Sequence, residues 1–292
     1  MTGAIDAHQH FWSLPREDYG WLTPESGRIY RDFGPKDLAP HLAEAGIERT
    51  VLVQAAPTEA ETRYLLDIAA VTPYVAAVVG WVDLAARNAP DRLAALAVNK
   101  RLRGIRPMLQ DLPDPAWMLG PGLRPALAAL ADLDLRFEAL VRPGQLGPLL
   151  IFLERNPDLS VVIDHGAKPA IRSVSLETWS REIRDIARQT PAHCKLSGLV
   201  TEAKTQWRID DLEYCISHLL DCFGPDRLMW GSDWPVVELA GGYRRWHEAA
   251  CACLATITAG ERERIFGANA ARFYGFFEGA GSAAGIRSPS RR

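Results

Sequence analysis

The extended segment Ile5-Asp6-Ala7-His8-Gln9-His10 opens the chain with two histidines two residues apart. Side chains alternate faces along a strand, so His8 and His10 point the same way. Two imidazoles on one face at a strand end can share a metal ion, a carbonyl oxygen or a proton. They can equally be two satisfied polar groups. Other chemically capable residues follow the later apolar runs. Arg106, then Gln110 and Asp111, come after the run from Leu102; Asp164 and His165 close Val161-Val162-Ile163. Lys195 and Ser197 follow Cys194, and Asp233 ends Met229-Trp230-Gly231-Ser232.

These groups need elements to position them, and strands alternate with helices from end to end. The strand patterns are Ile5–His10, Thr50–Gln54, Val75–Val82, Leu102–Leu109, Leu135–Val141, Leu159–Asp164, His193–Leu196 and Arg227–Trp230. Helical spacing fills the gaps: Pro35–Ala45, stopped by Gly46, then Thr58–Ala70, Asp91–Val98, Leu123–Leu133, Leu146–Glu154, Ser175–Arg188 and Asp210–Cys222. Two helices, Arg244–Leu254 and Ala259–Tyr274, close the series. Thr58 with Glu61, and Thr258 with Glu261, read as capping boxes. Eight strands, each followed by a helix, predict an α/β fold, a single-domain (β/α)8 TIM barrel over residues 1–278. No Gly-rich loop follows the first strand, which argues against a doubly wound sheet. Residues 279–292, rich in Gly, Ser, Ala, Pro and Arg, are expected to form a disordered tail. In such a barrel the active site lies at the C-terminal strand ends, where the chemically capable residues fall.

The 292 residues carry a formal net charge of −3, which gives no footprint for nucleic acid or an anionic membrane. None of the five cysteines lies in a CxxC pair, so they read as reduced thiols. There is no basic-apolar leader before His8 and no apolar run of membrane-spanning length. The expected location is the cytoplasm, with no nucleic acid and no membrane as partner. Oligomeric state is not legible.

His8-Gln9-His10, Asp164-His165-Gly166-Ala167-Lys168-Pro169 and Gly231-Ser232-Asp233-Trp234-Pro235 resemble the amidohydrolase superfamily. Arg103-Gly104-Ile105-Arg106 with Leu109-Gln110-Asp111, and Cys194 to Glu202, narrow the match. The chain resembles the amidohydrolase-2 branch of sugar-lactone hydrolases, relatives of L-fuconolactonase and L-rhamnonolactonase, from the first strand to Tyr274. The resemblance implies hydrolysis of a cyclic ester. That reaction needs an activated water, a polarised carbonyl and a protonated leaving oxygen. Asp233 is then the candidate base, and His8, His10 and His165 the candidates for carbonyl polarisation, one of them finishing as the acid.

Many amidohydrolases hold divalent ions. Here the fourth strand ends without a lysine and the fifth has no histidine, leaving His8, His10 and Asp233 as metal ligands, with Glu138 of undetermined facing. Zinc prefers three or four protein ligands. No required cofactor is therefore the expectation, with one divalent metal ion such as Zn2+ as the alternative. For a polyhydroxylated ring, Trp12, Trp21 and Trp234 are candidates for stacking, and Arg106, Gln110 and Lys168 for hydroxyl contacts. A single arginine at a strand end favours a neutral sugar lactone over a dicarboxylate. The rivals are a metal-dependent decarboxylase and an inactive sugar-acid-binding barrel. The identity of the sugar and its ring size stay open.

Overall fold

Eight strands pair in parallel in strict chain order in the computed structural model, which describes residues 3–173 and 175–276. They are β1 (Ala4–Gln9), β2 (Ile47–Val53), β3 (Val75–Gly80), β4 (Leu102–Ile105), β5 (Arg136–Ala139), β6 (Val161–Ile163), β7 (His193–Leu196) and β8 (Leu228–Trp230). Just past the strand ends β8 returns to β1: Asp233 N–H donates to His8 O at 2.8 Å and His10 N–H to Trp234 O at 2.7 Å. With helices between successive strands, the result is a nearly closed (β/α)8 barrel. The expected tail at 279–292 lies outside the described residues.

Strands buried on both faces explain the near-continuous apolar runs. Val51, Val53, Ala77, Val79, Val162 and Met229 fill the barrel interior. Leu52, Val78, Phe137 and Ile163 pack into the separate layer shared with the helices.

Some sequence expectations need correction. Strand β4, expected to reach Leu109, stops at Ile105; Pro107 has no N–H to donate, and Leu109–Asp111 winds into a 3-10 turn. Thr58 caps its helix as expected, accepting from Glu61 N. The Glu61 carboxylate does not complete a capping box. It accepts the N–H groups of Ala55 and Ala56 instead, at 3.0 and 2.8 Å, and so anchors the loop after β2. The last helix is interrupted by a wide turn over Arg264–Ala268 before Asn269–Tyr274. Asn269 Nδ2 pins this segment to the carbonyls of Pro225 and Leu228, at 2.8 and 2.7 Å, and Ala270, Ala271, Phe273 and Tyr274 join the interior cluster. All five cysteines are unpaired. Among the described residues no helix is long and apolar enough to cross a membrane.

Candidate active site

The first strand is not regular where it matters. Between Asp6 and Gln9 its register against β2 slips, three steps on β1 matching two on β2. Asp6 Oδ1 accepts the His8 N–H at 3.1 Å across this bulge. A bulge re-aims side chains. Ala7 belongs to the interior cluster, yet His8 next to it also faces interior groups, Lys195 and Asp164. The expectation that His8 and His10 share a side holds: their Nε2 atoms lie 3.2 Å apart.

Three other candidate residues sit in left-handed backbone, His165 at φ 56°, Lys168 at φ 50° and Asp233 at φ 58°. For non-glycine residues this costs about 1 kcal/mol or more, and such positions cluster at functional sites. Asp233 is held there by its N–H bond to His8 O, and His165 by Ser197 Oγ, 2.9 Å from Nδ1. Asp233 Oδ1 then lies 3.3 Å from His10 Nε2, 3.7 Å from His8 Nε2 and 3.9 Å from His165 Nε2. The four residues singled out from the sequence therefore meet at one point. Burial holds the imidazoles of His8 and His10 below their ordinary range and that of His165 down to about 4, so all three are neutral at pH 7. Burial pushes Asp233 the other way but is outweighed by the three histidines, and its carboxylate stays below the usual range.

Above this point opens a cavity of about 330 Å³, floored by His10, His165 and Asp233. Trp21, Arg106, Gln110 and Lys168 line it. Trp12 and Trp234 do not. Both are fully buried, and their indoles pack edge-on against Phe33 behind the site. Trp12 Nε1–H is spent on Arg31 O at 2.8 Å. These two act as packing, a correction to their reading as ring platforms. His8 is beneath the floor rather than on the wall. Arg142, the residue directly after the expected fifth strand and overlooked in the sequence, also lines the cavity. The site thus carries two arginines, Arg106 and Arg142, beside Lys168, where one arginine was expected from the sequence.

A layer of buried charge supports the floor. Lys195 Nζ lies 2.6 Å from Glu138 Oε2, 3.1 Å from His8 Nδ1 and 3.2 Å from Asp164 Oδ1. Arg106 Nη1 is 3.3 Å from Asp164 Oδ2, and Tyr274 OH donates to Glu138 Oε1. All of these side chains are buried. Burial raises Glu138 to about 7 despite Lys195. Burial also opposes ionisation of Asp164, but Lys195, His8 and Arg106 pull it well below the carboxylate range. Lys195 is visible in the sequence as an ion in an apolar strand, and its period-two spacing from Ser197 shows that the two share a face. Its partners were not visible.

The donor set fits one divalent ion. Ligands at about 2.0–2.2 Å around a tetrahedral ion stand roughly 3.3 Å apart, close to the His8–His10 and His10–Asp233 separations. His8, His165 and Asp233 bring ligand atoms within 4.8 Å of one another, so His165 joins the set expected from sequence. Neutral imidazole lone pairs facing a carboxylate call for a proton or a cation between them. A second group, His8, Glu138 and Asp164, is equally compact. The Lys195 ammonium already stands among its members, which makes it an ion-pair layer rather than a metal site.

The amidohydrolase family model matches residues 5–276. An L-fucono-1,5-lactonase from Burkholderia ambifaria is 49% identical over 94% of this chain and 96% of its own. One of the same name from Burkholderia multivorans is 36% identical over 94% and 97%. A crystal structure of an amidohydrolase from Burkholderia multivorans with bound zinc superposes with a TM-score of 0.89 at 37% identity, covering 93% of this chain and 99% of that one. That zinc and the ligand geometry together weigh against the metal-free expectation. A barrel whose strand ends bring His8, His10, His165 and Asp233 together, matched by the family model over nearly its whole length, belongs to the amidohydrolase family.

Proposed function

We propose that this chain is a lactonase that opens a sugar lactone, an L-fucono- or L-rhamnono-lactone-like aldonolactone, to the aldonic acid. One observation carries the reading: Asp233 meets His10 and His165 on the floor of the cavity, in a chain 49% identical to a relative named L-fucono-1,5-lactonase. Asp233, ionised among neutral imidazoles, takes a proton from water as its oxygen bonds to the lactone carbonyl carbon. His10, beside it, orients that water. His165 and the ammonium of Lys168 face the carbonyl oxygen as negative charge develops there. The bond from the carbonyl carbon to the ring oxygen then breaks. The proton on Asp233 passes to the departing alkoxide, directly or through a histidine.

Trp21 offers a ring face, and Gln110 Oε1, buried and without a partner, accepts from a sugar hydroxyl. Arg106 and Arg142 favour the carboxylate of the product. His8, His10, His165 and Asp233 would hold a divalent ion, which when bound would supply Lewis-acid polarisation of the carbonyl and a more acidic water. The five unpaired thiols support a cytoplasmic location.

The test is acid release from a panel of 1,4- and 1,5-aldonolactones, with and without a chelator. Rapid opening of an L-fucono- or L-rhamnono-configured lactone is expected. Retained rate in the chelator arm assigns the work to the side chains, and loss assigns a share to the ion. No hydrolysis above the Asp233→Asn background, or carbon dioxide release from an aromatic acid instead, overturns the reading.

A further inference from the structure

His8 is flanked by two groups that make opposite demands on it. An ammonium is donor-only, so Lys195, 3.1 Å from His8 Nδ1, requires a lone pair there. Neutral His8 then carries its hydrogen on Nε2, which faces His10 Nε2 at 3.2 Å. At the far end Val53 O accepts only, so His10 Nδ1, 2.8 Å away, is the N–H. His10 Nε2 is therefore the acceptor that His8 needs. The four groups form one directed relay, from Lys195 through His8 and His10 to the Val53 carbonyl; it leaves a lone pair on His10 Nε2 toward Asp233 Oδ1, 3.3 Å away, where a water hydrogen or a cation stands between the two acceptors. Arg106 Nη1 also comes within 3.3 Å of His8 Nε2. In this relay that contact sets donor against donor, and the Arg106 bond goes to Asp164 Oδ2.

A metal-ligating histidine presents the reverse pattern, donating its remote N–H to a carboxylate, carbonyl or water. An acceptor for that state stands ready. Asp164 Oδ1 lies 3.5 Å from His8 Nδ1 and is buried, ion-paired at 3.2 Å with Lys195. We propose that Lys195 is a positioning residue that locks His8 as the Nε2–H tautomer, and that a divalent ion binds only when His8 turns its Nδ1–H from Lys195 to Asp164 Oδ1. Lys195 thus sets the balance between a site that works through its own side chains and a site that holds an ion. His8 in the locked state keeps its hydrogen toward His10 and withholds a ligand.

The test uses the full chain labelled with 15N-histidine. Long-range proton–nitrogen spectra read the His8 tautomer directly, and calorimetry reads zinc affinity. In the metal-free wild type His8 should report Nε2–H, changing to Nδ1–H on zinc addition. Lys195→Met should favour the Nδ1–H form, tighten zinc binding about 10-fold or more, and lower metal-free kcat about 10- to 100-fold with little change in KM, the range typical of outer-shell groups. Asp164→Asn should weaken zinc binding instead. Lys195→Met leaves Glu138 unpaired and can misfold. The double variant Lys195→Met/Glu138→Gln removes the ion pair from both sides and keeps the question answerable. A role in folding alone predicts that the double variant recovers wild-type tautomer, kcat and zinc affinity, and that result overturns the proposal. Wild-type His8 already in the Nδ1–H form without metal also overturns it. The kcat arm rests on the lactonase reading. The spectroscopic and zinc arms do not, so failure of one is distinguishable from failure of the other.

Discussion

His10 Nε2 stands 3.3 Å from Asp233 Oδ1, although 223 residues separate the two in the chain. The backbone makes the meeting possible, because Asp233 N–H is bonded to His8 O and His10 N–H to Trp234 O. The β1–β8 seam of the barrel and the proposed reacting pair are thus one structure.

Removing the base is the sharpest test of that pair. Asp233→Asn is nearly isosteric and should fold, while lactone hydrolysis falls about 100-fold or more, the usual scale for positioned acid–base groups. Circular dichroism verifies the fold and pH-stat titration the rate. A rate within a factor of three of wild type would remove Asp233 from the mechanism.

Trp21 and Trp12 should separate binding from folding. Trp21 lines the cavity and is 41% exposed, so Trp21→Ala should raise KM with little loss of stability. Trp12 is fully buried, and Trp12→Ala should cost about 3–5 kcal/mol, the range for large aromatic truncations in a core. Urea midpoints and Michaelis curves on both variants distinguish the outcomes. Equal effects of the two on KM would argue against this division.

Gly198 should tolerate no side chain. It sits at φ 61°, and a Cβ there would lie 2.5 Å from His165 Nδ1. Gly198→Ala strains the backbone and displaces the His165 ring from Ser197 Oγ, so kcat should drop at least about 10-fold, since small misplacements near reacting groups are costly. An alanine variant with unchanged kcat would mean that His165 has no positional role.

Acid sensitivity should trace partly to His193, away from the reaction. Burial, with Arg227 and Arg272 adding to it, lowers this imidazole to about 4 from 6.5. The unfolded chain therefore binds a proton that the folded chain refuses between those values, and stability falls as pH drops through that window. Allowing for partial exposure, the loss is about 2 kcal/mol. His193→Gln should gain stability relative to wild type at pH 4.5 compared with pH 7.5. An identical difference in urea midpoint at both pH values would disprove the assignment.

Several features could be read without coordinates because they are local. The alternation of strands and helices is periodicity, the Thr58 cap is a contact three residues long, and the strand-end position of His8, His165 and Asp233 follows once the barrel is inferred. Trp12 and Trp234 were misread because an aromatic side chain near a site has the same sequence signature whether it faces ligand or core. Only the packing of Phe33 between them decides it. Arg142, directly after the expected fifth strand, met the same strand-end criterion as the other candidates and was legible in the sequence.

The sequence by itself determined the barrel, its family and the four residues at its catalytic end, since composition, period and motif are properties of short stretches. The tertiary structure alone decided what His8 and His10 are. Two imidazoles two residues apart have open tautomers in an isolated strand. Lys195 on one side and Val53 O on the other, brought in from β7 and β2, are the partners from which the proposed tautomers follow. Hydrogen-bond direction is set by partners distant in the chain, and spacing carries no record of it.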